Sequence, residues 1–285
     1  MSAGAFTVGG YLDGRGRRME GTAALITGAG SSGDFLGTGA ATALLLAAQG
    51  ATVGILDVGE ERAARTRTRI EEAGGKAVTL VADVTDEDAV GNAVDSFAFT
   101  AGRLDAVVNN AAVTPKGDIK TATRADWDRV FAVNATAPML VARAAYPHLV
   151  RSGGGSIVNV SSIAGLRGFG TGAYGPSKGA LQSLTVDLAH AWGPDNIRVN
   201  CLVPGHLYTP MGDQGGAEGR EMRRKANLLG LEGTAWDLAW AALFMAGPES
   251  RWITGTVLPV DAGTTTATGL GMLSRLTAPE NGEQP

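Results

Sequence analysis

Short continuous runs of aliphatic and β-branched residues alternate along this chain with longer amphipathic segments. The runs fall at 23–27, 52–57, 77–82, 104–109, 156–161, 197–203 and 256–260. Between them, apolar residues return at helical spacing over 40–49, 60–73, 86–100, 124–151 and 179–192, the fourth opened by Thr123 and Asp126 as a capping box. A run without polar alternation is a strand covered on both faces, and such strands separated by helices predict a parallel sheet. Right-handed crossovers then give an open, doubly wound α/β sheet of seven strands, with ligands at the carboxyl ends of the strands. No Pro/Ser-rich linker interrupts the alternation. One domain is expected over 21–265, with a flexible arm at 1–20 and a tail at 266–285.

Composition narrows the functions. A chain of 285 residues with 44% hydrophobic content can bury a sizeable core. A net charge of −4 and the lack of a basic run argue against nucleic acid or an anionic membrane as partner. The three histidines and one cysteine have no ligand-like spacing, so no metal site is expected. Cys201, inside the run 197–203, reads as a core residue. No apolar stretch reaches membrane-spanning length. Residues 1–20 carry glycine and arginine where a secretory leader needs an apolar core, so a cytoplasmic location is expected.

The first run passes into Thr27-Gly28-Ala29-Gly30-Ser31-Ser32-Gly33-Asp34-Phe35-Leu36-Gly37-Thr38-Gly39. Glycines let a backbone approach a pyrophosphate, and a following helix offers unpaired N–H groups with a positive dipole end. A plain Gly-rich turn has the same composition. Asp57 tilts the choice, because a carboxylate closing the second strand accepts hydrogen bonds from both ribose hydroxyls and repels a 2′-phosphate. No arginine or lysine stands in the loop or at Val58-Gly59, so NAD is favoured over NADP. As an alternative, Asp57 caps the next helix.

Further along, Tyr174 and Lys178 lie at i and i+4, on one face of a helix, twelve residues beyond a strand ending in Ser161-Ser162. A fixed ammonium beside a phenol should lower its pKa toward the range of an acid/base catalyst, and a serine hydroxyl can hold a substrate oxygen next to it. Taken alone, the pair also fits an exposed helix face.

With these pieces in order the chain resembles the short-chain dehydrogenase/reductase family, over roughly residues 20–263. The resemblance is carried by the glycine loop, Asp57, Asp83-Val84, Asn109-Asn110-Ala111-Ala112, Asn134, Ser162, Tyr174 with Lys178, Pro204-Gly205, Ile253-Thr254-Gly255 and Asp261-Ala262-Gly263. It implies a Rossmann-type fold and hydride transfer between a nicotinamide and a secondary alcohol or ketone. It implies Asn134, Ser162, Tyr174 and Lys178 as the catalytic set, Ser162 rather than Ser161 because it stands the family's distance before Gly165. Cofactor contacts are implied at Gly28, Ser31, Gly37, Thr38, Gly39, Asp57, Asp83, Val84, Asn110, Tyr174, Lys178, Leu207 and Thr209. Pro138 has no N–H to give the carbonyl of Asn134, which leaves that carbonyl for the water of a proton relay through Lys178.

Two departures stand out. Eight residues separate Gly28 from Gly37, against about three in the family's loop, and Ala112 replaces a glycine. The segment 209–230 corresponds to a substrate lid, in which Met211, Met222, Leu228 and Leu229 could form an apolar wall. Arg167 could meet an acidic substrate or stand in solvent. A halohydrin-dehalogenase-like lyase is disfavoured by Lys178 and Asp57, and an enoyl reductase by the Tyr–Lys spacing. A catalytically silent NAD-binding sensor or scaffold is disfavoured by the complete set. Surplus apolar residues on the helices near 124–151 and 174–192 (Ala137, Met139, Leu140, Ala144, Ala145 and Leu149; Ala180, Leu181, Leu184, Val186, Leu188, Ala189 and Trp192) suggest a homo-oligomer, a tetramer in this family.

Overall fold

In the computed structural model, which describes residues 17–115, 117–212 and 215–277, each of the seven apolar runs forms a strand. The first half alternates β1 (Ala23–Thr27), α1 (Thr38–Ala48), β2 (Thr52–Asp57), α2 (Glu60–Glu72), β3 (Lys76–Val81) and α3 (Glu87–Ala101). The second contains β4 (Ala106–Asn109), α4 (Arg124–Phe131), α5 (Ala137–Arg151), β5 (Gly155–Val160), α6 (Tyr174–Trp192) and β6 (Ile197–Pro204). Two short strands, β7 (Leu207–Tyr208) and β8 (Gly233–Thr234), bracket α7 (Gly216–Lys225) and pair with each other. The described chain closes with α8 (Ala235–Ala246), β9 (Val257–Val260) and α9 (Gly269–Thr277).

The main sheet runs β3-β2-β1-β4-β5-β6-β9, parallel throughout. The order reverses between β1 and β4, which opens a crevice beyond their carboxyl ends. Successive β1 residues feed opposite cores. Ala24 and Ile26 pack with Leu44, Leu45, Leu238 and Leu243 of α1 and α8, whereas Ala23 and Leu25 pack with Val94 and Phe97 of α3 and Val141 of α5. This two-sided burial is why the strand sequences are apolar at consecutive positions.

Two of these elements differ from the sequence pattern. Helix α8 was not expected, because Ala-Trp-Asp-Leu-Ala-Trp-Ala-Ala-Leu-Phe-Met-Ala is apolar nearly all round and shows no stripe. It is opened by a capping box in which Asp237 Oδ2 accepts from the Thr234 N–H at 2.7 Å. The helix expected over 124–151 is interrupted by a π-helical turn at Ala132–Thr136, beside Pro138, whose missing N–H disturbs the ladder. Helix α6 begins at Tyr174, as the placing of Tyr174 and Lys178 on one helix required, with Gly175 and Pro176 tolerated in its first turn.

Packing extends past both expected domain boundaries. Met19 is buried and its N–H donates to Gln49 O at 2.8 Å, and Met272 of α9 is buried. Residues 1–16 of the arm and 278–285 of the tail lie outside the described residues. Among the described residues no helix is long and apolar enough to cross a membrane.

Candidate active site

A cavity of about 1340 Å³ fills the crevice at the strand ends and runs from Asp57 to Tyr174. It exceeds the roughly 300–1,000 Å³ of an ordinary small-molecule pocket, as a dinucleotide with its substrate would require. Gly28, Ser31, Gly37, Thr38, Gly39, Asp57, Asp83, Val84, Asn110, Leu207 and Thr209 all line it, as do Ala112, Ser162, Tyr174 and Lys178. Gly28 has φ +62°, and a side chain there would collide with the backbone of Ala111. Gly37 caps α1 with no side-chain acceptor for the first N–H groups, and a Cβ added to it would meet nothing within 4 Å. An open glycine at an uncapped helix start is a cradle that fits a pyrophosphate. Thr38 Oγ1 donates to Asn110 Oδ1 at 2.7 Å, and Asn110 Nδ2 donates to Gly28 O at 3.1 Å, which fixes the loop on β4.

Asp57 sits at the far end, buried, its Oδ2 accepting from Gly30 N at 3.0 Å and its Oδ1 from Gly59 N at 2.9 Å. Arg62, which the sequence reading passed over, also lines the cavity and donates from Nη2 to Asp57 Oδ1 at 2.6 Å. It lies beyond the loop and beyond the residues just after Asp57, and only the first turn of α2 brings position 62 back onto the strand end.

At the other end, Tyr174 projects from the first turn of α6, and Ser162 lines the same end of the cavity beside it. Burial pushes the phenol above its ordinary 10.0, and the neighbouring Ser162 hydroxyl only partly opposes this. The expected lowering of the Tyr174 pKa is therefore corrected. Lys178 is fully buried, 5.7 Å from the centroid of the Tyr174 ring, and donates to Val160 O at 2.8 Å. Its own pKa falls from 10.5 to about 8 through burial, so the ammonium is itself destabilised where it was expected to stabilise a phenolate. Beneath it, burial pushes the Cys201 thiol up to about 11, leaving a neutral core residue.

Asn134 does not line the cavity. It lies in the π turn, fully buried, where Nδ2 donates to Val113 O (2.9 Å) and Ser177 Oγ (3.1 Å) and Oδ1 accepts from Val113 N (2.9 Å). Its side chain thus pins the loop after β4 to α6. Ser161 turns away from Tyr174, donating to Lys178 O at 2.8 Å and accepting from Gln182 Nε2 at 3.0 Å. A buried polar chain, Asn109 to Asn159 (2.8 Å) to Thr185 (2.9 Å), ties α6 to β4 and β5. Paired amides and hydroxyls of this kind fix a helix in one position.

Residues 35–265 match a family model described as Enoyl-(Acyl carrier protein) reductase. The 3-oxoacyl-[acyl-carrier-protein] reductase of Thermotoga maritima is 36% identical over 247 residues, 86% of this chain and 98% of that protein. This chain belongs to the short-chain dehydrogenase/reductase family. Cyclopentanol dehydrogenase of Comamonas is 37% identical over 237 residues, 82% of this chain and 95% of that protein. Among solved structures, carveol dehydrogenase from Mycobacterium avium in complex with NAD superposes with a TM-score of 0.83 at 30% identity, covering 88% of this chain and 99% of that one. Such relatives are oxidoreductases of alcohols and ketones.

Between β7 and β8 this member of the family forms α7, from which Arg223 lines the cavity. Met211 lines the cavity, whereas Met222, Leu228 and Leu229 are exposed and do not. The apolar wall expected from those four reduces to Met211. Arg167 instead ties its loop to Thr265 O at 2.9 Å. His206 and Arg223, not singled out from the sequence, line the cavity. Burial, and Arg223 nearby, lower the His206 pKa, so the imidazole stays neutral to lower pH than an ordinary histidine. Nothing local in the sequence marks either residue, since they reach the cavity only through the path of the lid.

Proposed function

We propose that the chain is an NAD-dependent oxidoreductase interconverting a secondary alcohol and its ketone, with Tyr174 as general acid and base. The observation that carries this reading is the grouping of Ser162 and Tyr174 with buried Lys178 at one end of a cavity whose other end is Asp57. When bound, the nicotinamide supplies or accepts the hydride at the carbinol carbon. Ser162 holds the substrate oxygen, and Tyr174 Oη gives that oxygen its proton in reduction and takes it back in oxidation. Lys178 contributes its ammonium beneath the phenol and toward the nicotinamide ribose. Asn134 acts behind the wall, holding the Val113 loop and α6 in place and leaving its main-chain carbonyl to a relay water.

Asp57 supports NAD as the cofactor, and the NAD complex of the carveol dehydrogenase agrees in kind. An enoyl reductase, which the family model's description names, is disfavoured by the four-residue step from Tyr174 to Lys178. A silent NAD-binding scaffold is disfavoured by the complete Asn134, Ser162, Tyr174 and Lys178 set. A homo-oligomer, most simply a tetramer, is supported less by α5 and α6 than the sequence suggested. Leu140, Ala145, Leu149, Leu181 and Leu188 are buried within the chain, leaving Val186 exposed. The stronger support is a set of exposed apolar side chains: Trp252, before β9, is 91% exposed, and Trp240 of α8 and Leu258 of β9 are partly so. A cytoplasmic setting fits this chemistry.

The test is nicotinamide oxidation and reduction followed by near-ultraviolet absorbance, with a panel of secondary alcohols and ketones. Turnover with at least one member, lost in Tyr174→Phe, supports the reading. NADH binding without turnover across the panel would favour the scaffold.

A further inference from the structure

The eight residues between Gly28 and Gly37 do not stand out as a free loop. Ser31 N donates to Arg62 O at 3.0 Å, Arg65 Nη1 donates to Ser32 O at 2.8 Å, and Asp34 pairs with Arg69 at 2.5 Å. These contacts hold the inserted segment along α2 and turn Phe35 outward over the crevice. Its half-buried ring packs on Tyr208 of β7, with centroids 4.5 Å apart and planes tilted by 38°. The Arg220 guanidinium of α7 lies 4.0 Å from the same Tyr208 ring and is bound by both carboxylate oxygens of Glu232, at 2.7 and 2.5 Å. A continuous column, Phe35 to Tyr208 to Arg220 to Glu232, therefore joins the cofactor loop to the substrate lid.

Both sides of that column border one cavity. Phe35 lines it together with Gly37 and Thr38, and Leu207, Thr209 and Met211 line it from the lid. A glycine loop without the insertion would end at the helix start and leave the lid to move alone. Here the loop crosses to meet it.

We propose that Phe35 and Tyr208 form an aromatic clasp that closes the cavity over the pyrophosphate cradle, so that the dinucleotide leaves only after the two rings part. Phe35 is thus a cofactor-retaining residue, acting through Tyr208 and the lid rather than on the reacting atoms. The clasp rests on the reading of the cavity as a dinucleotide site. It governs the dissociation rate more than the hydride step, because neither ring touches Tyr174 or Ser162. It also couples the two ends of the site, since an ordered lid holds Tyr208 against Phe35 and a displaced lid releases it.

The experiment measures NADH dissociation by stopped-flow fluorescence, displacing bound NADH with excess NAD, in the full chain and in Phe35→Ala, Phe35→Tyr, Tyr208→Leu and the Phe35→Ala/Tyr208→Leu double variant. An aromatic pair of this geometry should slow release roughly two- to tenfold. Dissociation should accelerate by about that factor in Phe35→Ala and in Tyr208→Leu, return to the native rate in Phe35→Tyr, and gain little more in the double variant, as for two residues acting as one contact. A merely structural role would lower the thermal midpoint without this rescue or non-additivity. If Phe35→Ala folds poorly, Tyr208→Leu reads the same step. Unchanged dissociation in both single variants, or strictly additive effects in the double one, overturns the clasp. Failure of the unaltered chain to bind NADH would instead overturn the dinucleotide reading on which the clasp depends.

Discussion

Arg62, five residues beyond Asp57, folds back so that its Nη2 lies 2.6 Å from Asp57 Oδ1 at the mouth of the cavity. The carboxylate that should repel a 2′-phosphate is therefore held beside a cation that would attract one. Replacing Asp57 with Asn leaves Arg62 without its counter-charge. The NAD-to-NADP ratio of kcat/KM should then fall by at least about tenfold. Arg62→Ala should shift the ratio the other way. Preference of the unaltered chain for NADP by more than about tenfold would show that Arg62, not Asp57, decides the cofactor.

Tyr174→Phe keeps the ring and removes the proton. Turnover should drop by about 10²–10⁴ while NADH affinity stays nearly unchanged, as read by kinetics and fluorescence titration. Because burial raises the phenol above 10.0, alcohol oxidation, which needs the phenol to accept a proton, should climb from neutral into alkaline pH. Ketone reduction should show no such climb. Ordinary activity in the Phe variant would remove Tyr174 from the mechanism.

Lys178 is a charge held inside the fold at a cost to stability. Its folded pKa of about 8 lies below the ordinary 10.5. Between those values the unfolded chain carries the extra proton, so stability is complete above about 10.5 and is lost as pH falls through about 8. The shift corresponds to about 3 kcal/mol at neutral pH, reduced in a variant by the hydrogen bond that Val160 O loses. Lys178→Met should raise the thermal midpoint near pH 7, by about 1–3 kcal/mol in stability, with a smaller gain near pH 10, while abolishing turnover. A destabilised Met variant at neutral pH would contradict this balance.

Two glycines of the same loop should respond in opposite ways. A Cβ at Gly39 would strike the Gly28 carbonyl and Asn110 Nδ2, groups that cannot retreat, whereas a Cβ at Gly37 would meet only open space. Gly39→Ala should therefore lose stability and NADH binding together. Gly37→Ala should keep its thermal midpoint and weaken NADH binding alone, because its methyl would enter the cradle. Thermal melts paired with NADH titration separate the two.

Light scattering at micromolar concentration should give a multiple of the 29.0 kDa chain mass. Replacing the highly exposed Trp252 with a polar residue should shift the mass downward. A mass near that of one chain for the unaltered protein would remove the oligomer.

The strands and the α/β order were legible in the sequence because the inner strands are buried on both faces, so Ala23 to Ile26 is apolar at every position and the pattern needs no partner to be recognised. The cluster proposed as catalytic was legible for a related reason. Tyr174 and Lys178 share a helix face through local geometry, and Ser162 follows a strand end that the sheet brings to the same edge. Local pattern said nothing of α8, whose two-sided burial erases the stripe by which helices are read. Nor did it reach contacts that depend on the folded path: Arg62 against Asp57, Phe35 against Tyr208, His206 and Arg223 in the cavity wall. Residue types suggested a lowered Tyr174 pKa, and tertiary structure reversed the sign. Proximity of a cation favours the phenolate, but burial penalises both charged forms, and only the fold determines how deeply a residue is buried.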